Sequence, residues 1–537
     1  MSDSATLSME DRQNMESKNI DVEISLDILT RFNRGDFDHF EPIRVDDIPS
    51  VDGTTIVDFT VEPSIRISES TARDRLAGLI PDPLLNLIGT ELGENRGGTL
   101  VLSRADLDSI GLMLMPRVAY GVLNGGSATS YADSKKNVAF SARLVELLQD
   151  RFDEMAEISH GQAKGLTPAF VQPDGSFGPS FLQLKMRGLL TLAMRSQALL
   201  QRLSPDRVGG LPEPLLPFFE MTSIHTNEEL RTSYMEYRSD AVLADLIGLT
   251  GLDPTDPAGA VQPMIAAYTH SREGRPKRIF ARAYGREHET LPLPGGHGQN
   301  FSVLADVYRS LRSRGKRFVY LGNVDNLGYL PDPVEVAYLA LSGKQAGFDF
   351  AFKTPVDVKG GILVQDQHGH LSCADIGPAI SREDVAKAES AGKPILFNAA
   401  TGLFDLDFLV PNLERIATDL PTRVTDQVKD AGDYSQAEQV TWEVIVMLDN
   451  FLVFSVSKWN RLLAAKLLSE TLMTSGIGLD DPNYPSSDDP ARDLRGAAVK
   501  LHEGLVCKLQ HEYGMELHEN RWAPTPAAAL KERCERG

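Results

Sequence analysis

From Val118 onward the 537-residue chain alternates short β-rich or apolar runs with longer stretches of helical spacing, and this alternation constrains the fold more than any other feature. The runs are Val118–Leu123, Pro217–Met221, Arg278–Ala283, Phe318–Leu321, Phe348–Phe352, Gly361–Val364 and Phe451–Val456, with Ser180–Leu203 and Asn300–Arg314 among the helical stretches. Strands separated by helices are joined as βαβ units, so the pattern predicts an α/β fold on a largely parallel central sheet. Ser180–Leu203 is amphipathic and predicts a helix facing the core. Gln367-His368-Gly369-His370 lies between two β-like runs and predicts a hairpin turn, which gives His368 and His370 no more than a polar role.

The flanks differ in texture. Residues 1–95 are acidic and irregular, with the short β-like segment Thr54–Phe59; they predict a partly helical wrap whose first twenty residues are mobile. Asp480–Asp489 reads as a polar, Pro-containing linker, and Ala491–Tyr513 has helical periodicity. The division is therefore an N-terminal region over 1–95, a main domain over 96–460 and a small α-rich C-terminal domain over 461–537. No six-residue repeat marks a left-handed β-helix.

Composition narrows the function classes. With 75 acidic against 54 basic side chains the formal net charge is -21, which repels polyanions and argues against nucleic acid or an anionic membrane as main partner. Three scattered cysteines supply neither a disulfide framework nor a Cys-based zinc site, and Glu287-His288-Glu289 lacks zinc-ligand spacing. No apolar run approaches the ~18 residues of a membrane helix, and the polar N-terminus has no leader pattern. A cytoplasmic protein with reduced thiols is expected.

Ligands of open α/β sheets gather beyond the carboxyl ends of the strands, so the loops after the strand-like runs carry the chemistry. Leu123-Asn124-Gly125-Gly126-Ser127-Ala128-Thr129 pairs glycines, which let backbone N–H groups approach a ligand, with hydroxyls that can cradle a phosphate or a flat base. Pro294-Gly295-Gly296-His297-Gly298 exposes amides at the start of a helix, a site for an anion or base. Asn323-Val324-Asp325-Asn326 ends a strand in a carboxylate suited to Mg²⁺, and strand alternation places Asn323 and Asp325 on one face. Lys353-Thr354-Pro355-Val356-Asp357-Val358-Lys359-Gly360-Gly361 adds two lysines and an aspartate. Taken singly, each also reads as an ordinary turn; the Gly-Gly loop is neither a Walker A sequence nor a GxGxxG fingerprint, which sets a Rossmann dehydrogenase aside.

The order of these loops resembles the UTP–sugar-1-phosphate uridylyltransferase (UDP-sugar pyrophosphorylase) family over roughly residues 118–470, and among its members those acting on glucose 1-phosphate. Leu123-Asn124-Gly125-Gly126 is similar to that family's nucleotide loop, Pro294–Gly298 to its PxGHG segment, Asn323–Gly328 to its NxDN-LG stretch and Lys353–Gly361 to its KT-x-x-D-x-KGG loop. Met221-Thr222-Ser223, Gln262 at the place of a uracil-contacting glutamine, and Phe397-Asn398 in the sugar loop match as well. Lys458-x-x-Arg461 followed by Lys466 resembles a late element whose lysine reaches phosphate.

The chain also departs from the family. Ser127-Ala128-Thr129 replaces the second half of a GGxGT loop, and Asn137 stands where a Pro-Lys is usual. Ala163-Lys164-Gly165 is the better match to the activating lysine, with Asn137–Gln162 an insertion and Lys136 the reserve. Ala464-Ala465 replaces a typical Pro-Val, and the C-terminal β-helix of eukaryotic glucose-1-phosphate members is missing.

The resemblance implies a GT-A-like fold with a mixed, mostly parallel, Rossmann-like sheet and a Mg²⁺-dependent attack of a sugar 1-phosphate on the α-phosphate of UTP, forming UDP-glucose and pyrophosphate. It assigns Lys164, Lys466 and Lys353 to catalysis, Asp325 to the metal, and Leu123, Gly125, Gly126, Thr129, Gln262, Gly296, His297, Asn323 and Asn398 to substrates. The Gly-His-Gly loop favours glucose over an N-acetylhexosamine. The altered Gly-Gly loop and displaced lysine keep a non-catalytic nucleotide-sugar sensor as the rival of another class.

Overall fold

A run such as Val-Ala-Tyr-Gly-Val-Leu, buried at every position, belongs inside a sheet covered on both faces. In the computed structural model, which describes residues 7–38, 45–203, 214–354, 356–357, 360–377, 380–489 and 492–536, such runs build one eleven-stranded sheet. Its strands are β1 (Ile56–Asp58), β2 (Val118–Leu123), β3 (Phe218–Ser223), β4 (Ala258–Gln262), β5 (Phe318–Asn323), β6 (Ala346–Phe352), β7 (Gly361–Asp366), β8 (Leu371–Asp375), β9 (Leu396–Asp405) and β10 (Phe451–Val456), with Val45–Asp47 paired to β7. The order across the sheet is β1–β10–β6–β9–β5–β2–β3–β4. β5, β2, β3 and β4 run parallel, as do β6, β10 and β1. β9 lies antiparallel between β5 and β6, and β7 and β8 form a hairpin hung from β9 at Ile362–Phe397. The sheet is thus mixed and mostly parallel.

Period-two alternation divides the core. Val118, Tyr120 and Val122 of β2 enter the larger apolar cluster, while Ala119 and Leu123 enter the one on the other face. Gly121 lets the sheet close here, since a Cβ at that position would lie 2.1 Å from the Phe219 ring. The helices that matter to the site are α1 (Met9–Ser17), α2 (Val22–Arg34), α3 (Ser134–Leu147), α4 (Gln149–Ser159), α5 (Phe181–Leu203), α6 (Asn227–Tyr237), α7 (Leu468–Thr474) and α8 (Leu494–His511). α5 is buried over most of its length; its core contacts and those of α7 and α8 (Leu184, Leu189, Leu468, Leu472, Leu501 and Leu505) belong to the same cluster as β2. A helix of the described residues long and apolar enough to cross a membrane does not occur.

Three expectations are corrected. Arg278–Ala283 is no strand: Thr269 N–H to the Arg278 carbonyl and Phe280 N–H to that of Ala267 form one isolated bridge, Glu289 N–H to the Ala281 carbonyl and Ala283 N–H to that of Glu289 form another, and Tyr284 then turns the chain away at φ 56. The first twenty residues are not all mobile. Met15 and Ile20 are buried beside Ala266, Asn14 accepts from the Thr290 N–H at 2.9 Å, and Lys18 pairs with Glu289 at 2.8 Å; only residues 1–6 lie outside the described ones. Finally, β5 ends at Asn323, so Asp325 belongs to the following turn rather than to the strand's alternation.

Candidate active site

Register places the predicted loops on one rim. Leu123 stands level with both Met221 and Asn323, and Ser223 with Gln262, so β2, β3, β4 and β5 end side by side. β6 runs the same way and reaches the rim at Lys353, next to the start of antiparallel β9 at Leu396. The carboxyl ends of parallel strands are where an open α/β sheet holds its ligands.

The Gly-Gly loop is fixed from below and left open above. Buried Asn124 donates from Nδ2 to Glu220 at 3.0 Å, and Tyr234 of α6 donates to the same carboxylate at 2.7 Å, while burial raises the affinity of Glu220 for its proton. Gly125 faces Gln262 Oε1 and Ser223; Gly126 has open space where a Cβ would point. Thr129 is exposed, its hydroxyl 3.1 Å from that of Ser127. The chain then leaves through α3 and α4 and returns at Ala163, which bridges Ser127, and the Lys164 N–H donates to the Gly126 carbonyl at 2.9 Å. The stretch read as an insertion is therefore a helical excursion that closes on its own starting point.

Lys164 arrives with its side chain buried and its Nζ without a hydrogen-bond partner among the described residues. The Nζ lies 2.9 Å from the centroid of the Tyr131 ring and 5.0 Å from that of Phe181. Burial pushes this ammonium down to about 7, against the pull of the Asp325 and Glu470 carboxylates. Lys136, the reserve candidate, sits at the exposed start of α3 with its Nζ on the Ser130 hydroxyl.

Gln262 stitches the second loop to the first. Its Nε2 donates to the Gly296 carbonyl and to Gln299 Oε1, both at 2.8 Å, which leaves Oε1 turned toward Gly125. Gly296 has φ 82, and a Cβ there would meet the Gln439 carbonyl oxygen at 2.3 Å, so this position requires glycine. The Thr441 N–H donates to His297 Nδ1 at 3.1 Å, which puts the imidazole proton on Nε2. Crowding by the protein, aided by the Lys466 ammonium, pushes His297 down to about 4, so the ring is neutral at physiological pH.

The turn after β5 is held from three sides. Lys185, buried in α5, donates to the carbonyls of Asn326 and Tyr329; Asn326 Nδ2 donates to the Arg461 carbonyl at 2.9 Å; and Gly328 packs on the Arg461 backbone. Asn323 and Asp325 remain part-exposed at the mouth. Asp325 forms no ion pair among the described residues, and it is the carboxylate that could hold a divalent cation. The Ala465 N–H donates to the Asp325 carbonyl, which brings Lys466 to the rim, 5.9 Å from the Phe397 ring. Asn398 begins a bulge in β9: its Oδ1 accepts the Ala400 N–H at 2.8 Å, Ala400 has φ 52, and the pairing with β6 slips between Phe348 and Phe350.

Three cations of the matched motifs are paired within the protein. Lys353 reaches the rim, where its Nζ is 2.7 Å from Glu389 of the helix Arg382–Ser390, so its charge is already matched. Arg461 is buried against Glu335 and Asp349, and Lys458 against Asp357 at 2.6 Å, so both brace the floor. Lys359 lies outside the described residues. Sequence reasoning missed Tyr131, Lys185, Thr441 and Glu470. Only Lys185 carried a signal, as a charge that with Arg187 interrupts the apolar first half of a helical stretch.

The α/β fold, with its mixed and mostly parallel sheet, is shared with solved structures. A UDP-glucose phosphorylase from Trypanosoma brucei superposes with a TM-score of 0.52 at 14% identity, covering 97% of this chain and 82% of that one. A UDP-N-acetylglucosamine pyrophosphorylase from the same organism gives 0.51 at 17%, covering 76% and 70%. In sequence, residues 277–483 match the family described as UTP–glucose-1-phosphate uridylyltransferase, in agreement with the resemblance carried by the motifs. The enzyme of that name from Solanum tuberosum is 26% identical over 206 residues, 37% of this chain and 43% of that protein. Its counterpart from Astragalus penduliflorus is 26% identical over 191 residues, 35% and 40%. The chain thus spans about two fifths of the length of these curated relatives.

Proposed function

We propose that the chain is a UTP–sugar-1-phosphate uridylyltransferase that takes glucose 1-phosphate and uses Mg²⁺. The observation that carries this reading is the convergence on one rim of open glycine amides, the Gln262 carboxamide, the Asp325 carboxylate and an acceptor-free buried ammonium at Lys164.

A sugar 1-phosphate is already an anion, so attack on the α-phosphorus of UTP needs no general base. The barrier lies in bringing two anions together and in the charge that grows on departing pyrophosphate, and positioning and electrostatics can lower both. The Gly125 and Gly126 amides hold the nucleotide, and the Gln262 oxygen accepts the uracil N–H beside Gly296. Asn323 and Asn398 face the sugar, and neutral His297 donates from Nε2. Lys164 and Lys466 supply positive charge to the phosphates. A lone, part-exposed carboxylate fits Mg²⁺, which is commonly held by one or two carboxylates with phosphate oxygens and water. Among the described residues no group of three potential metal ligands offers an alternative site. Bound at Asp325, the ion would offset charge on the phosphate oxygens.

The test is pyrophosphate release from UTP with glucose 1-phosphate or N-acetylglucosamine 1-phosphate, with and without Mg²⁺. Turnover that requires Mg²⁺ and prefers glucose 1-phosphate is expected. Preference for the hexosamine would reassign the sugar, and UDP-sugar binding without turnover would make the chain a sensor.

A further inference from the structure

Lys164 occupies a setting that a merely structural lysine avoids, because a buried ammonium is ordinarily given carbonyl or carboxylate acceptors. Lys185, one turn beyond Phe181, has two such carbonyls. Lys164 has none among the described residues, although Asp325 and Glu470 are both near enough to act on its charge. Aromatic surface stands where an acceptor would: Tyr131 at 2.9 Å on one side and Phe181 at 5.0 Å on another. The Tyr131 ring is pinned in turn. Its hydroxyl donates to Thr471 at 2.8 Å, and its carbonyl accepts the Leu468 N–H and Asn137 Nδ2, all near or on α7, which follows Lys466.

We propose that Tyr131 is a positioning residue for Lys164: its ring sheathes the ammonium and keeps it from pairing with the Asp325 carboxylate until a triphosphate offers oxygens. A direct Lys164–Asp325 pair would cancel both charges and occupy the group that the cation needs. A cation on a ring face is held without a competing anion, so it remains available to one that enters. The charged and titratable groups facing Lys164 are Asp325 after β5 and Glu470 on α7, with Glu229 of α6 bonded to the adjacent Ala163 N–H and Lys185 on α5 also acting on Asp325. The inference rests on the uridylyltransferase reading for its kinetic consequence alone.

Two readouts on the full chain test it: the amine reactivity of Lys164 against pH, followed by mass spectrometry without substrate, and steady-state kinetics with UTP and glucose 1-phosphate. Tyr131→Phe keeps the ring and should match the wild type in both. Tyr131→Leu should move the Lys164 titration upward by about one pH unit or more, as the amine gains water and Asp325, and should lower kcat/KM for UTP about tenfold. If that variant does not fold, Tyr131→Met supplies similar volume without a π face. A Leu or Met variant that titrates and turns over like the wild type overturns the proposal, as does a Phe variant as impaired as Leu. Absence of wild-type turnover would instead remove the catalytic reading, with the labelling still deciding whether Tyr131 sheathes Lys164.

Discussion

On the β2 flank of the rim Lys164 is buried against aromatic rings with no acceptor; on the β6 flank Lys353 reaches out and pairs with Glu389. Both stand near the carboxyl ends of the strands, and both belong to motifs that resemble those of one family. The difference lies in what each costs and what each can give. A half-exposed ion pair is inexpensive and already neutralised, so it has little charge left to lend. An acceptor-free buried ammonium penalises the folded state, and an entering polyanion relieves that penalty. On the proposed reading, the flank that destabilises the ligand-free protein is the one prepared for chemistry.

Substitutions at the two lysines test this contrast most severely. Lys164→Ala should lower kcat by roughly 10²–10³, the effect of losing one preorganised charge or donor, whereas Lys353→Ala should stay within a few-fold. Equal losses, measured by pyrophosphate release, would break the comparison. Asp325→Asn should come next, with turnover reduced by about 10² and the Mg²⁺ dependence flattened, as seen in a metal titration.

Lys164→Met should sharpen the energetic half. The folded-state affinity of Lys164 for its proton is depressed, so between about pH 7 and 10.5 the unfolded chain binds more protons, and this group's penalty is full below that window and fades as pH rises through it. At pH 7 the Met variant should therefore melt a few degrees higher than the wild type while losing activity, and the gain should shrink toward pH 10.

The glycines give smaller, separable effects. Gly296→Ala meets both a positive φ and the Gln439 carbonyl, and should cost about 1–3 kcal/mol in denaturant unfolding. Gly126→Ala meets nothing within 4 Å and should leave stability unchanged while raising KM for UTP. The smallest effect concerns His297. Its depressed proton affinity means that the unfolded chain alone takes up a proton between about pH 6.5 and 4, so stability falls as pH falls through that window. His297→Gln should flatten that part of the curve.

Much of this was legible before any coordinates. β2 and β10 run over Val118–Leu123 and Phe451–Val456 as read from the sequence, because continuous apolar runs have few other places to go. The motif loops meet on one rim because parallel strands share a direction. What stayed hidden depends on pairing in space. Nothing local distinguishes Lys353 from Lys164, since Glu389 and Tyr131 are distant in sequence and neither spacing nor composition points to them. Arg278–Ala283 has strand-like residues, but its backbone hydrogen bonds are split between two partners, Ala267–Thr269 and Glu289, as isolated bridges instead of one continuous ladder.

The closure of the α3–α4 excursion has a consequence for how such a protein can change over time. Because Ser127 and Ala163 are bridged, the polypeptide departs from the loop after β2 and returns to it at one spot, and the strand pairing does not depend on how many residues lie between. Segments can lengthen or shrink there without a shift of strand register, so long as the returning amine of Lys164 still meets the ring of Tyr131.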